Sequence, residues 1–238
     1  MGTPLGKRLL MQIEFRGKQI SHVDLLPEQG FSNTNYTFIL NKKNYLLRQF
    51  KLQDRNRQEE FDIQTLAYQK GLAAKPYVLN LSEGYMICDF IEGDHKEKLE
   101  RDDISQVIHV LKKLHSMTIK SQVIDLKSEF TIKDKALSDA FKIIENTENE
   151  IVLCHNDLNP KNCIFSKKGL KLIDWEFAGM NDKYFDLAAI SVEFKFKLLD
   201  ELYMLASYFQ KEGWSKEKFD AYKIVYSALC EKWFKENT

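Results

Sequence analysis

The apolar pattern of the chain changes near residues 92–94, and this change limits its fold more than any other feature. Before it, apolar residues alternate or cluster among β-formers around short polar turns; after it, they recur at helical intervals. Stretches 12–20 and 36–49 read as hairpin-type strands, with Arg16-Gly17-Lys18 and Asn41-Lys42-Lys43-Asn44 as their turns. Stretches 77–81 and 85–91 form a further hairpin around Ser82-Glu83-Gly84. A single helix interrupts these strands. Asn56 and Glu59 have capping-box spacing, Phe61, Ile63, Leu66 and Ala67 follow at helical intervals, and Gly71 closes the run. Beyond Glu92-Gly93-Asp94, the residues Ile104, Val107, Ile108, Leu111 and Leu114 share one helical face behind Asp102 and Asp103. Stretches 185–210 and 215–235 read as long amphipathic helices. The expectation is an α+β chain of two lobes, 1–91 and 92–238, with an antiparallel sheet and one helix in the first and mostly helices in the second.

Composition narrows the function classes. Lys plus Arg and Asp plus Glu each number 35, so no overall field draws in nucleic acid or an anionic membrane. Neither partner is expected, and a small molecule is. The cysteines, Cys88, Cys154, Cys163 and Cys230, lack metal-binding spacing and lie in apolar runs, which reads as reduced core cysteine in a cytoplasmic protein. No apolar run is long enough to span a bilayer, and residues 1–10 have no secretory h-region. Those ten residues are compatible with an expression remnant, since Met11 would serve equally well as a start.

The chemistry concentrates in CHNDLNPKNCIF, 154–165, and LKLIDWEFAG, 170–179. If 162–166 and 170–174 are strands joined by Lys167-Lys168-Gly169, Ser166 faces Leu170 and Asn162 lies opposite Asp174 on one face. An amide oxygen and a carboxylate so placed can grip one hard cation, and magnesium suits oxygen ligands. Asp157, separated from Asn162 by a turn carrying Pro160, is placed to orient a hydroxyl nucleophile. His155, flanked by apolar neighbours, reads more as a hydrogen-bonded anchor than as a base. The plainer reading is a solvated polar hairpin end. It is weakened by the convergence of three oxygen-bearing groups within apolar surroundings, where unpaired charge is costly.

H-x-D-x4-N, then I-D-W-E-x-A-G, then F-D-L-A resembles the choline/ethanolamine kinase and aminoglycoside phosphotransferase superfamily, which includes bacterial thiamine kinases and shares the protein-kinase-like fold. The resemblance runs from about residue 30 to about residue 196. It implies ATP and magnesium as cofactors, Asp157 as the catalytic aspartate, Asn162 and Asp174 as metal ligands, Glu176 as a further acid beside the metal, and Asp186 as a brace for the catalytic loop. GFSNTNYTF resembles the nucleotide loop, whose backbone N–H groups at Asn33, Thr34 and Asn35 would cradle phosphates. Arg48 stands where protein kinases carry a lysine, with Glu60 its expected partner and Glu59 the alternative. CDFIEG would be the hinge, offering the backbone of Asp89 and Ile91 to adenine.

For the acceptor, the resemblance implies the hydroxyl of a small cationic alcohol, with choline or ethanolamine ahead of thiamine or an aminoglycoside. Trp175, Tyr184, Glu193, Tyr203, Trp214 and Trp233 are the aromatic and acidic candidates in the corresponding region, although helical aromatics more often fill cores. Choline kinases end in paired tryptophans, whereas SALCEKWFKEN carries only Trp233. Two readings compete. A silent nucleotide-binding pseudokinase is weakened by the presence of Asp157, Asn162 and Asp174, and a protein kinase by the lack of an A-P-E segment.

Overall fold

A computed structural model describes residues 20–27, 29–52 and 55–237, the side chain of residue 237 excepted. The chain divides into two compact units, Met1–Glu92 and Gly93–Thr238. The strand expected at 12–20 and the proposed remnant at 1–10 lie outside the described residues, apart from Ile20.

In the first unit, β1 (Ile20–Leu25), β2 (Asn33–Leu40), β3 (Lys43–Phe50), β4 (Pro76–Asn80) and β5 (Tyr85–Asp89) form an antiparallel sheet in the order β1-β2-β3-β5-β4. The β2–β3 turn is tighter than expected. Leu40 pairs with Lys43, leaving Asn41 and Lys42 as a two-residue loop with φ of 50° and 64°. Positive φ at both centres matches the strand twist, and asparagine tolerates it. Strand alternation then sends Phe38, Leu40, Leu47, Val78, Tyr85 and Ile87 into one core. Each such side chain contributes roughly 1.5–3 kcal/mol by leaving water.

Helix α1 (Arg57–Gln69) lies against β4. The Asn56 side chain accepts from the Glu59 N–H at its start. At its end Gly71 takes φ of 76° while Leu72 N–H reaches back to Ala67 O, 2.8 Å away.

The second unit holds α2 (Arg101–His115), α3 (Lys135–Glu145), α4 (Lys183–Glu193), α5 (Leu198–Phe209) and α6 (Lys216–Asn237). It also holds two small ribbons. One pairs β6 (Ile151–Cys154) with β9 (Gly179–Asp182), and the other pairs β7 (Cys163–Ser166) with β8 (Gly169–Leu172). Helix α2 packs on β6 and β8 while α4 packs on β6, so the segment between β6 and β7 springs from a framework held on several sides.

The single helix expected over 185–210 is two. Lys195 adopts φ of 54°, Lys195 N–H donates to Val192 O and Phe196 N–H to Ser191 O, the paired bonds of a helix stop normally built on glycine. Lysine in that role gives no composition signal, so periodicity ran on through the break. The four cysteines are free thiols, three of them buried. Among the described residues no helix is long and apolar enough to cross a membrane.

Candidate active site

The segment after β6 is held by its backbone. Asp186, fully buried on α4, accepts from His155 N–H at 2.8 Å and Asn156 N–H at 2.9 Å, while His115 Nε2 lies 3.1 Å from the same carboxylate. Tyr208 closes the chain of contacts, 2.6 Å from His115 Nδ1. Asn156 sits at φ of 64°, a conformation stabilised because its amide donates to Phe177 O and Gly179 O and accepts from Asn181. His115, Cys154 and Asp186 have ligating atoms within 4.8 Å of one another, yet this cluster is committed to bracing. The Asp186 oxygens already take two backbone donors, and burial followed by the charges of Asp186 and Asp182 keeps the Cys154 thiol protonated.

His155 is wholly buried, its Nε2 3.0 Å from Ile173 O and its ring 4.8 Å from that of Trp175. Burial lowers its proton affinity despite the charges of Asp186 and Asp174. The ring therefore ties the residue before Asp174 to the segment that carries Asp157, as an anchor does.

Asp157 is held by amide donors. Asn159 Nδ2 donates to Oδ1 at 3.0 Å; Asn162 Nδ2 donates to Oδ2 at 2.7 Å and to the Asp157 carbonyl at 2.9 Å. With its nitrogen so engaged, Asn162 presents Oδ1 as its remaining polar atom. Burial first, and the charge of Asp174 next, raise the Asp157 pKa from 3.8 to about 6; the two amides oppose this and Glu176 adds to it. Asp157 is thus near enough to both Asp174 and Glu176 to feel their charges. Oxygen donors of this kind, an amide and carboxylates, fit a hard divalent cation such as magnesium.

The expected route to this arrangement needs correction. Gly169 takes positive φ, at 91°, but the ladder closes one residue earlier, pairing Ser166 with Gly169 and Cys163 with Leu172. Ile173, not Asp174, follows opposite Asn162, and its N–H donates to Asn162 O at 3.1 Å. Strand alternation would then put Asp174 on the other face. It does not govern Asp174, which leaves the strand at φ of 64°. A left-handed residue redirects the carboxylate that a simple register had delivered by counting.

In the first unit, Arg48 Nη1 meets Glu60 Oε1 at 2.6 Å, and Arg57 Nη1 meets Glu60 Oε2 at 2.7 Å, all three side chains buried. Glu59 serves the α1 cap instead. Asn33 is buried too, its Oδ1 accepting from Arg48 Nη2 at 2.8 Å and its Nδ2 donating to Ser32 O. The phosphate cradle read into Asn33, Thr34 and Asn35 is overturned for two of its N–H groups. All three residues lie in β2; the alternation set by Lys51 N–H on Ser32 O turns Thr34 N–H to Gln49, and Asn35 N–H donates to Gln29 Oε1 at 2.8 Å. Asp89 gives its N–H to Lys75 O, and its carboxylate accepts from the Tyr77 hydroxyl and pairs with Lys43 at 2.5 Å. Ile91 is half-buried, past the end of β5.

Two acceptor candidates are corrected by burial. Trp175 is 1% exposed with its indole N–H on Leu172 O, and Tyr184 is 2% exposed with its hydroxyl accepting from Ser215 N–H and its ring beneath Lys218. Both are core residues and present no face to a ligand. Glu193 is half-buried and accepts from the Tyr226 hydroxyl at 3.0 Å. Burial, then the charges of Cys230, Glu193 and Asp157, raise the Tyr226 pKa. Trp233, half-buried near the end of α6, packs edge-on to Phe234. Asn159 and Tyr226 escaped sequence reading. Asn159 precedes Pro160, an available turn signal, but Tyr226 lies in a periodic apolar run and had none.

Comparison with known proteins adds to this geometry. Residues 120–207 match the family model for choline/ethanolamine kinase. The chain resembles that family. LicA of Haemophilus influenzae is 30% identical over 161 residues, 58% of this chain and 60% of its own length. The match thus spans about three fifths of that curated relative. Among solved structures, choline kinase LicA from Streptococcus pneumoniae superposes with a TM-score of 0.81 at 24% identity, covering 98% of this chain and 90% of that one. A type VIII aminoglycoside-3'-phosphotransferase gives 0.65 at 14% identity, over 92% and 97%. The fold is protein-kinase-like, shared across both groups of enzymes.

Proposed function

We propose that the chain is an ATP- and magnesium-dependent kinase that phosphorylates the hydroxyl of a small cationic alcohol, choline or ethanolamine. The observation that carries this reading is the environment of Asp157. A carboxylate oriented by Asn159 and Asn162, with the charges of Asp174 and Glu176 close by, is what a hydroxyl-orienting base beside a metal requires. Asn162, Asp174 and Glu176 would hold magnesium, which when bound neutralises charge on the β and γ phosphates. Asp157 orients the alcohol and accepts its proton as the alcohol oxygen bonds to the γ-phosphorus and the bond to the ADP oxygen breaks. His155 and Asp186 keep the Asp157 segment in place throughout. Arg48, fixed by Glu60, binds phosphate oxygens, and the Asp89 carbonyl and Ile91 N–H take adenine; the resemblance to the kinases supports both assignments.

Choline and ethanolamine are favoured by the resemblance to choline/ethanolamine kinases, and by Glu193, a half-buried carboxylate aligned by Tyr226 that suits a cation. The test is ADP release with choline, ethanolamine, thiamine and kanamycin in parallel. Turnover should be highest with choline or ethanolamine, vanish in Asp157→Ala, and show a raised KM for the cationic alcohol in Glu193→Gln. Turnover restricted to thiamine or kanamycin would reassign the acceptor, and turnover with none of the four would leave the pseudokinase reading.

A further inference from the structure

The three residues that open the second unit clasp the turn carrying Asn162. Gly93 lies so close to β7 that a Cβ there would stand 2.6 Å from Ile164 Cγ2 and 2.7 Å from Phe165 O. Asp94 and Phe165 exchange both backbone hydrogen bonds, at 3.1 and 2.9 Å. His95 Nδ1 lies 3.1 Å from Pro160 O and 3.1 Å from Cys163 O. Both partners are carbonyls, so Nδ1 carries a proton and donates to the pair. These carbonyls bracket Asn162, one two residues before it and one directly after. Asn162 is otherwise fixed by its own side chain on Asp157 and by Asn159 Oδ1 on its N–H.

We propose that His95 is a positioning residue for the Asn162 metal ligand. By holding the carbonyls on both sides of Asn162 it fixes the pitch of the short helical turn Pro160–Asn162, and with it the direction of Asn162 Oδ1. The inference rests on the reading of Asn162 and Asp174 as magnesium ligands. The Asn159 side chain caps the N–H groups of this three-residue turn, and His95 is the donor that meets the carbonyls on either side of Asn162. The His95 side chain is exposed beyond this contact, so substituting it removes a donor without opening a core cavity.

The experiment compares the full chain with His95→Leu, which deletes the donor, and His95→Asn, whose Nδ2 stands in the place of Nδ1. Manganese binding in the presence of a non-hydrolysable ATP analogue is followed by electron paramagnetic resonance, with thermal melting as the control for folding. His95→Leu should weaken manganese binding roughly tenfold, as loss of a ligand's supporting hydrogen bond does. His95→Asn should restore most of it, and both variants should melt close to the parent. Unchanged manganese affinity in His95→Leu, or equal loss in both variants accompanied by a lowered melting temperature, would overturn the assignment. Asp174→Asn run alongside separates this from the underlying reading. If it still binds manganese as the parent does, the metal site is elsewhere; if it does not, a failure at His95 belongs to His95 alone.

Discussion

Asp157 shows how one side chain can work against stability. Its folded pKa, about 6, lies above the unfolded value near 3.8, chiefly because the carboxylate is buried. The folded chain therefore binds this proton more tightly than the unfolded chain does. Asp157 adds stability as pH falls through about 6 and withdraws it above, so its ionised form opposes folding at neutral pH. Asp157→Asn should remove turnover. Relative to the parent, its melting temperature should also be more favourable at pH 8 than at pH 4.5, measured by calorimetry at both. An unchanged difference between the two pH values would show that the carboxylate is not held in its charged form at a cost. Asp186 acts through geometry, two backbone donors meeting its buried carboxylate.

At the scale of elements, α1 matters chiefly for where it delivers Glu60. Capping by Asn56 sets the start of the helix, and helical spacing then puts Glu60 inward between Arg48 on β3 and Arg57. The three charges form a buried unit in which one acid serves two guanidinium groups. Glu60→Ala would leave both without that partner, and breaking such a unit costs about 3–5 kcal/mol. Urea unfolding should show that loss, whereas Glu59→Ala, which removes an exposed contact to the Asn56 cap, should lose less, about 1 kcal/mol. The element signals visible in the chain were of uneven quality. Caps and glycine stops marked α1 well. The break between α4 and α5 is made by a lysine at positive φ, and the β7–β8 ladder closes one residue from where counting put it. Neither leaves a mark in composition.

For the molecule as a whole, the proposed ligands supply a test independent of turnover. A ligand that binds only the folded chain raises its stability by RT ln(1 + [L]/Kd), about 2.7 kcal/mol at a hundredfold excess over Kd. Magnesium with ADP should raise the melting temperature by several degrees, more than ADP with EDTA, and the magnesium-dependent part should disappear in Asp174→Asn. An equal rise with EDTA would mean that no metal joins the nucleotide. The balanced charge, with 35 residues of each sign, means that such shifts reflect binding at the site and not a collapse of overall repulsion.

Legible in the chain by itself were the strands and single helix of residues 36–91, the change of character near residue 93, and the polar side chains proposed here to carry the chemistry. These follow from local pattern, because hydrophobic period and turn chemistry act over a few residues. Tertiary structure alone decided how those side chains point. It turned Asp174 by a left-handed backbone, took the Thr34 and Asn35 N–H groups into other bonds, and buried Trp175 and Tyr184 in the core. It also brought His95 from a distant position against Pro160 and Cys163, and His115 against the Asp186 that braces the segment between β6 and β7. Direction and long-range contact depend on packing between elements far apart in sequence, and no local pattern encodes them.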